Sequence, residues 1–268
     1  MTHAGVPGML TGKRIIVTGV LTPKSIAYCV AEQALREGAE LILTSFGRAM
    51  SLTERSAKRL SASVSVFELD VTKSEDFATL GKEVAEKWDR VDGIVHAIGF
   101  APNDALGKEF LATSWTSVAT AFHISAYSLA PLVHTFEPLM TQGGSVVSLT
   151  FDASVAWPIY DWMGPAKAAL ESISRYVARD LGHKNIRCNT IAAGPLDTVA
   201  AKSIPAFNSI KEIWNSQSPL KWDTSDASPV ADATIFLLSD RARSITGEVL
   251  HVDGGYHAMG APIHGAES

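Results

Sequence analysis

Short apolar runs rich in β-branched residues alternate with amphipathic segments along almost the whole chain. The runs have the length and composition of buried strands, whereas the segments between them repeat apolar residues at the spacing of three and four that is typical of helices. The runs predict strands at 14–18, 40–44, 64–69, 93–97, 145–150, 186–192 and 248–252. The amphipathic segments predict helices at 25–37, 48–60, 74–88, 115–140 (kinked near Pro131), 160–182 and 230–238.

Strands that are apolar throughout are typical of a parallel sheet that helices cover on both faces. We therefore predict an α/β fold: a doubly wound Rossmann domain with a seven-stranded parallel sheet. No repeat or linker divides the chain, so 1–268 is expected to form a single catalytic domain. The irregular, apolar stretch at about 198–222 is expected to form a small helical lid over the substrate, and 256–268 a tail.

The composition excludes several other classes of protein. The formal net charge of −5 offers no basic surplus for binding nucleic acid. No apolar stretch approaches the roughly 18 residues of a membrane span, and no signal peptide precedes the first strand, which favours a cytoplasmic location. The two cysteines, Cys29 and Cys188, lie in apolar segments, so we expect neither a disulfide nor a metal site.

The predicted strands share one kind of ending. In doubly wound sheets, ligands bind beyond the carboxyl ends of the strands, where the strand order reverses. Gly19 leaves the first strand and Ser25 begins a helix, an arrangement that directs backbone N–H groups at a pyrophosphate, although it also fits an ordinary capped helix. Small or acidic residues also leave the later strands, at Asp70-Val71, Ala97-Ile98-Gly99, Gly194-Pro195 and Asp253-Gly254-Gly255. Together they predict a ligand-facing rim.

A tyrosine and a lysine are the candidate catalytic pair. None of the five tyrosines has a lysine four residues later, but Tyr160 has Lys167 seven residues later. Seven residues are nearly two helical turns, about 10 Å, so on a helix over 160–182 the two side chains would face the same way. The spacing also arises by chance, but Lys167 lies among small residues, where a surface lysine would be unusual.

These motifs resemble the short-chain dehydrogenase/reductase superfamily. The stretched turn Gly19-x5-Ser25-Ile26-Ala27 and the Tyr-x6-Lys spacing resemble its enoyl-acyl-carrier-protein reductases. Among these, the chain most resembles the NADH-dependent mycobacterial members. The resemblance covers about 10–255. It implies NADH-dependent reduction of trans-2-enoyl thioesters, carried on acyl carrier protein, in type II fatty-acid synthesis. It also implies a homotetramer, for which the helices at 113–140 and 160–182 would be natural interface elements.

The resemblance also implies roles for individual residues. Tyr160 would donate a hydrogen bond to the thioester oxygen as an enolate forms, and Lys167 would hold the nicotinamide ribose. Phe151 is implied as a third catalytic residue, and it would contact the substrate together with Tyr160 and Met163. The implied cofactor site comprises Gly19, Ser25, Ile26, Phe46, Asp70, Val71, Ala97, Ile98, Gly99, Lys167, Pro195, Leu196 and Thr198. In it, the Asp70 carboxylate would accept from the adenine amino group.

Some alternatives stay open. Phe46 and Arg48 follow the second strand, and no carboxylate stands there to bind the ribose 2′-hydroxyl of NADH. Arg48 suits the 2′-phosphate of NADPH, but the likeness to the mycobacterial pattern favours NADH. Ser148 lies twelve residues before Tyr160, where carbonyl-reducing relatives place a serine, so an NAD(P)-dependent carbonyl or alcohol oxidoreductase is the second hypothesis. A non-catalytic dinucleotide sensor is the third. His96 and His123 are expected to be structural.

The predicted lid carries two further expectations. Its apolar residues suit a fatty acyl chain. The lid is shorter than the resemblance to the mycobacterial enzymes would imply, so we expect a preference for short to medium acyl chains. Lys202 or Lys211 is expected to meet the acidic carrier protein.

Overall fold

The computed structural model describes residues 7–107, 109–199, 201 and 207–261. Seven strands form one sheet in the order β3-β2-β1-β4-β5-β6-β7, and every neighbouring pair is parallel. The strands are β1 (Arg14–Val17), β2 (Glu40–Ser45), β3 (Ser65–Glu68), β4 (Gly93–His96), β5 (Gly144–Thr150), β6 (Ile186–Ala193) and β7 (Val249–Val252). The predicted seven-stranded parallel sheet is confirmed.

Helices cover both faces of this sheet. They are α1 (Ile26–Arg36), α2 (Met50–Leu60), α3 (Ser74–Lys87), α4 (Trp115–Phe122), α5 (Leu129–Phe136), α6 (Met163–Leu181), α7 (Phe207–Gln217) and α8 (Ser228–Leu238). Ile15 and Val17 of β1 pack in one apolar core with α1 and α8, whereas Ile16 packs in a second core with α3, α5 and α6. The alternation follows from the two-residue period of a strand and confirms the doubly wound architecture.

The strand order reverses at β1, which lies between β2 and β4. Thr18, the residue after β1, joins the two strand ends: its hydroxyl donates to the carbonyl of Val95 and accepts from the N–H of Ala97, each at 3.0 Å. A crevice for ligands is expected at this point of such a sheet. The predicted rim residues that follow β1 and β4 therefore lie at this crevice, and those that follow the other strands lie along the same edge of the sheet.

The helix predicted at 115–140 is divided, and its irregular segment lies shortly before Pro131. α4 ends at Phe122, a π-helical segment covers His123–Tyr127, and α5 begins at Leu129. The break is closed by a bond from the N–H of Ser128 to the carbonyl of His123, five residues earlier. Pro131 lies in the first turn of α5, where the N–H that proline lacks would have no partner within that helix.

The helix predicted from Tyr160 begins three residues later, at Met163. Tyr160 stands in a turn between Ile159 and Asp161, whose φ angles of 61° and 40° are incompatible with an α-helix. The prediction that Tyr160 and Lys167 share one helical face is therefore wrong: Lys167 lies on α6, and Tyr160 precedes it. Whether they meet is decided by how this turn folds back on the helix.

Within the described residues, no helix is both long and apolar enough to cross a membrane.

Candidate active site

Gly19 lets the end of β1 approach the end of β4. Its φ is +79°, and a Cβ atom there would lie 2.1 Å from the carbonyl oxygen of Ala97. A side chain would thus be strained by the backbone angle and would also overlap Ala97. Because glycine has no side chain, the backbone at the base of the crevice stays accessible, which a dinucleotide phosphate requires in order to reach it.

The start of α1 is suited to an anion. Ser25 has extended backbone angles, yet its hydroxyl caps no N–H of the first turn and donates instead to the carbonyl of Thr22, at 2.7 Å. The N-terminal N–H groups from Ile26 onward are thus not capped by Ser25, and the positive end of the helix dipole faces the crevice. The preceding loop is fixed to α2 by bonds from Thr53 and Ser56 to the carbonyls of Val20 and Leu21.

The predicted adenine side of the site is formed by the ends of β2 and β3. Phe46, directly after β2, is extended and 48% exposed, so a ring face is available. Asp70, after β3, accepts two bonds from Thr72 through one carboxylate oxygen, at 3.0 and 2.7 Å. Its second oxygen lies 4.0 Å from the Lys73 nitrogen. Val71 is buried beside it, and the adenine contacts of Asp70 and Val71 stay predictions.

Gly99, Met163 and Lys167 come together beyond the end of β4. A Cβ atom at Gly99 would lie 3.7 Å from Lys167 Nζ and 3.9 Å from Met163 Cε. Gly99, which the resemblance places with Ile98 at the ribose and nicotinamide, therefore lies beside the lysine assigned to the same ribose. Lys167 is 8% exposed, and its Nζ donates to the carbonyl of Leu149 at 2.9 Å.

Burial controls the charges around Lys167. Desolvation lowers the pKa of Lys167 to about 8, and Glu171, one turn further along α6, opposes this by favouring the ammonium. Lys167 therefore remains mainly charged at neutral pH. Burial, and then the Lys167 charge, lower the pKa of His96 to about 3, so this histidine is neutral. Its Nε2 bonds to the Ser128 hydroxyl at 2.8 Å, which supports a structural role.

Tyr160 is a buried, neutral phenol. Burial raises its pKa above the ordinary value, and its side chain is 8% exposed. The Phe151 ring meets it edge-on at 5.1 Å, and Ala121, Met163 and Ala166 complete its apolar surroundings. The Tyr160 hydroxyl forms no hydrogen bond with any other described residue, so its proton is available to a ligand. Met163 belongs to the same apolar cluster as Tyr160, and its Cε lies beside Gly99, as Lys167 Nζ does, so the surroundings of the two groups adjoin.

Sequence reasoning missed two aromatic residues beside this site, Trp157 and Tyr256, and expected a third, Trp214, only as an apolar residue of the lid. Trp157, Trp214 and Tyr256, together called the aromatic cluster below, pack on one another, with ring centroids 3.8–5.5 Å apart. Phe151 contacts Trp157 at 4.9 Å and Trp214 at 5.6 Å, so it joins the cluster to Tyr160. Three separate segments supply these rings, and the signal in the sequence is the group of four aromatic residues within 151–162. Tyr256, predicted to begin a tail, instead packs against α7.

A further residue without a predicted role, Trp222, positions the end of β6. Its indole N–H donates to the carbonyl of Pro195 at 2.7 Å. A Cβ atom at Gly194 would lie 2.7 Å from the same ring, so the glycine is needed for this packing. Leu196 is buried, and the Thr198 hydroxyl accepts from the N–H of Ala201 at 3.1 Å. The predicted cofactor roles of Pro195, Leu196 and Thr198 thus fall on a segment that Trp222 fixes.

α7 supplies the described part of the predicted lid. Ile210 and Trp214 are buried against the body of the protein, whereas Ile213 is exposed. Lys211 forms an ion pair with Asp197, so this candidate for carrier-protein contact has an internal partner. Lys202, the other candidate, lies outside the described residues.

Ser148 does not reach the tyrosine's surroundings. It is fully buried in β5, and its hydroxyl shares hydrogen bonds with Ser174 at 3.2 Å and Thr190 at 3.0 Å. All three hydroxyls belong to the packed interface between α6 and the sheet. The second hypothesis needs this hydroxyl at the substrate, and the geometry opposes it.

Comparisons with known proteins agree with this geometry. The family model described as enoyl-(acyl carrier protein) reductase matches residues 19–257. The enoyl-[acyl-carrier-protein] reductase [NADH] of Mycolicibacterium smegmatis is 40% identical over 262 residues, which cover 92% of this chain and 97% of the relative. Proteins with the same enzyme name from Rickettsia bellii and Bacillus subtilis are 40% and 39% identical, covering 95% and 92% of this chain and 97% of each relative. The chain therefore belongs to the enoyl-(acyl carrier protein) reductase family.

Proposed function

We propose that this protein reduces trans-2-enoyl-acyl-carrier-protein thioesters to saturated acyl thioesters with NADH, as a cytoplasmic enzyme of type II fatty-acid synthesis. One observation carries the proposal: Met163 belongs to the buried apolar cluster that holds the neutral phenol of Tyr160, and its Cε lies beside Gly99, as Lys167 Nζ does. This arrangement supports a proton donor for the substrate close to a cation for the cofactor. The names of the relatives, which all specify NADH, support the choice of cofactor.

The crevice fits a nicotinamide dinucleotide. The accessible backbone at Gly19 and the uncapped start of α1 at Ser25 and Ile26 suit the pyrophosphate. Phe46, Asp70 and Val71 would surround the adenine, and the remaining contacts would come from Ala97, Ile98, Gly99, Pro195, Leu196 and Thr198. When bound, NADH supplies the hydride that reduces C3 of the enoyl group.

Tyr160 stabilises the charge that this reduction creates. As C3 is reduced, negative charge moves to the thioester oxygen and an enolate develops. A neutral phenol whose proton has no partner can donate to that oxygen, and the bond strengthens as the charge grows. The apolar surroundings, including Phe151 and Met163, exclude water and strengthen the interaction. We propose Tyr160 and Phe151 as substrate contacts, with Tyr160 as the donor.

Lys167 positions the nicotinamide ribose. Its ammonium has three N–H groups, and the Leu149 carbonyl takes one of them. The others would bond the ribose hydroxyls beside Gly99. Because the lysine is buried and tied to β5, it would hold the ribose in one orientation, and its positive charge also favours the enolate.

The two other hypotheses have less support. A carbonyl reductase of this superfamily would need Ser148 at the substrate, and its hydroxyl is bonded within the core. A non-catalytic sensor would not need an unpaired phenol next to a buried lysine.

One assay separates the three hypotheses. NADH oxidation would be followed at 340 nm with crotonyl and octenoyl thioesters and, in parallel, with a panel of ketones. We expect turnover of the thioesters alone, and a lower kcat/KM with NADPH than with NADH. Turnover of ketones alone would establish the carbonyl reductase, and tight NADH binding without turnover of either class would establish the sensor.

We further propose a homotetramer assembled through α5 and α6. A groove of about 550 Å³ runs between these helices, and most of its lining is apolar, including Val133, Ile173 and Val177. The exposed ring of Tyr176 lies along it. Solvent-facing apolar surface of this kind is typical of a contact between copies.

A further inference from the structure

We propose that the aromatic cluster of Trp157, Trp214 and Tyr256 closes the acyl pocket and sets the longest acyl chain that the enzyme reduces. This inference rests on the proposed function, since it concerns the chain attached to the thioester that Tyr160 contacts. The three rings would determine the specificity for acyl-chain length, and the substrates would be short and medium enoyl thioesters.

The cluster adjoins the residues proposed as substrate contacts. Phe151 contacts the Tyr160 ring at 5.1 Å, and beyond Phe151 lie Trp157 at 4.9 Å and Trp214 at 5.6 Å. Trp214 belongs to α7, the element that follows β6 and covers this end of the sheet. A chain that passes Phe151 toward α7 therefore meets these indole rings.

The cluster is also rigid. The Trp157 indole N–H donates to the carbonyl of Asp152 at 2.5 Å, and that of Trp214 donates to the carbonyl of Asp253 at 3.0 Å. Tyr256 stacks on Trp214 with centroids 3.8 Å apart and an angle of 11° between the planes. Trp214 is 1% exposed. To admit further methylene groups, the rings would have to break these bonds and leave a packed core, so the cluster acts as a fixed end.

The other side of Tyr160 differs in character. Ala121 and Ala166 are small, and Ala101, Leu106 and Phe122 are only partly buried around them. Among the rings of the aromatic cluster, only Trp157 also packs against this group, so the barrier to long chains lies where Trp157 meets Trp214 of α7.

The test is a chain-length profile of the complete protein. kcat/KM would be measured with trans-2-enoyl coenzyme A thioesters of four, eight and twelve carbons. The variants are Trp157→Ala and Tyr256→Ala, and the matched control is Val155→Ala, an exposed residue on the same loop as Trp157. The ratio of the twelve-carbon to the four-carbon value is the readout, because a general loss of activity cancels in it. Thermal melting of each variant reports folding.

We expect the wild-type ratio to be low, and Trp157→Ala to raise it at least tenfold, since each newly buried methylene contributes about fourfold. Tyr256→Ala is expected to raise it less, because Tyr256 contacts Phe151 only through the two tryptophans. Val155→Ala should leave it unchanged. Should both variants fail to fold, the wild-type profile still decides.

Two results would overturn the inference alone: a wild-type enzyme that reduces twelve-carbon substrates as well as four-carbon ones, or folded variants with an unchanged ratio. In either case the reductase activity would stand. A wild-type protein inactive on every enoyl thioester would overturn the proposed function and this inference with it.

Discussion

The side-chain nitrogen of Lys167 donates a hydrogen bond to the carbonyl oxygen of Leu149, 2.9 Å away. The bond ties α6 to β5, two residues before Phe151. The bond thereby fixes Lys167, proposed to bind the ribose, relative to Phe151, proposed to contact the substrate. This placement requires burial of an ammonium, and its energetic consequence can be measured.

Replacing Lys167 with methionine is expected to abolish most activity while stabilising the cofactor-free protein. Burial of the ammonium lowers its pKa from 10.5 to about 8, which corresponds to about 3 kcal/mol of destabilisation at pH 7. Losing the bond to Leu149 costs about 1 kcal/mol. The net gain, about 2 kcal/mol, would be measured by urea unfolding at pH 7, and NADH affinity should fall at least tenfold. Lys82→Met, at an exposed position on α3, is the control, and equal stabilities of the two variants would contradict the argument.

The lowered pKa of Lys167 also predicts that the free energy of unfolding depends on pH. Between about pH 8 and 10.5 the unfolded chain binds the Lys167 proton more tightly than the folded chain does. The contribution of this lysine to the unfolding free energy therefore rises with pH across that window and is constant below it. The difference between wild type and Lys167→Met should shrink from pH 8 to 10. A difference that is constant with pH would show that the lysine is not desolvated.

Two glycines form a matched pair for the proposed phosphate turn. Gly12 and Gly19 both have φ above +70°, but only at Gly19 would a Cβ meet a neighbour, the carbonyl of Ala97 at 2.1 Å. Gly12→Ala should cost about 1 kcal/mol of stability through its backbone angle alone. Gly19→Ala should cost at least about 2 kcal/mol more and should abolish NADH binding. Unfolding curves and NADH fluorescence titrations would check both. Comparable effects at the two sites would exclude the close approach to Ala97.

Removing one hydroxyl at a time separates the reductase from the carbonyl-reducing alternative. Tyr160→Phe is expected to lower kcat on crotonyl thioester by about 10²–10³, with NADH affinity unchanged, because the hydroxyl acts on the developing charge. Ser148→Ala should leave kcat within about twofold and cost about 1 kcal/mol of stability, since its partners are Ser174 and Thr190. A large loss of kcat in Ser148→Ala with a normal melting temperature would favour the alternative.

The proposed assembly predicts a position-specific effect on α6. Val177→Asp places a charge in the apolar groove and is expected to convert the tetramer to smaller species. Arg175→Asp, an exposed position of α6 outside the groove lining, should leave the mass unchanged. Light scattering after gel filtration measures both, and a monomeric wild-type protein would contradict the assembly.

The pattern of the sequence determined the sheet and its ligand-binding edge. Runs of apolar residues specify buried parallel strands, and Gly19, Asp70 and Gly99 follow those strands directly, so their approximate places follow from local order along the chain. Lys167 on α6 was also predictable, because its helical period is local.

Only the tertiary structure decided the surroundings of those residues. The spacing of Tyr160 and Lys167 suggested one helical face, but the turn with positive φ at Ile159 and Asp161 places the tyrosine before α6. Ser148 matched a catalytic position, yet packing directs its hydroxyl into the core. The aromatic cluster joins segments about 100 residues apart. Periodicity reports which residues are buried, whereas the partner that each buried side chain meets depends on contacts between distant segments, which no local pattern contains.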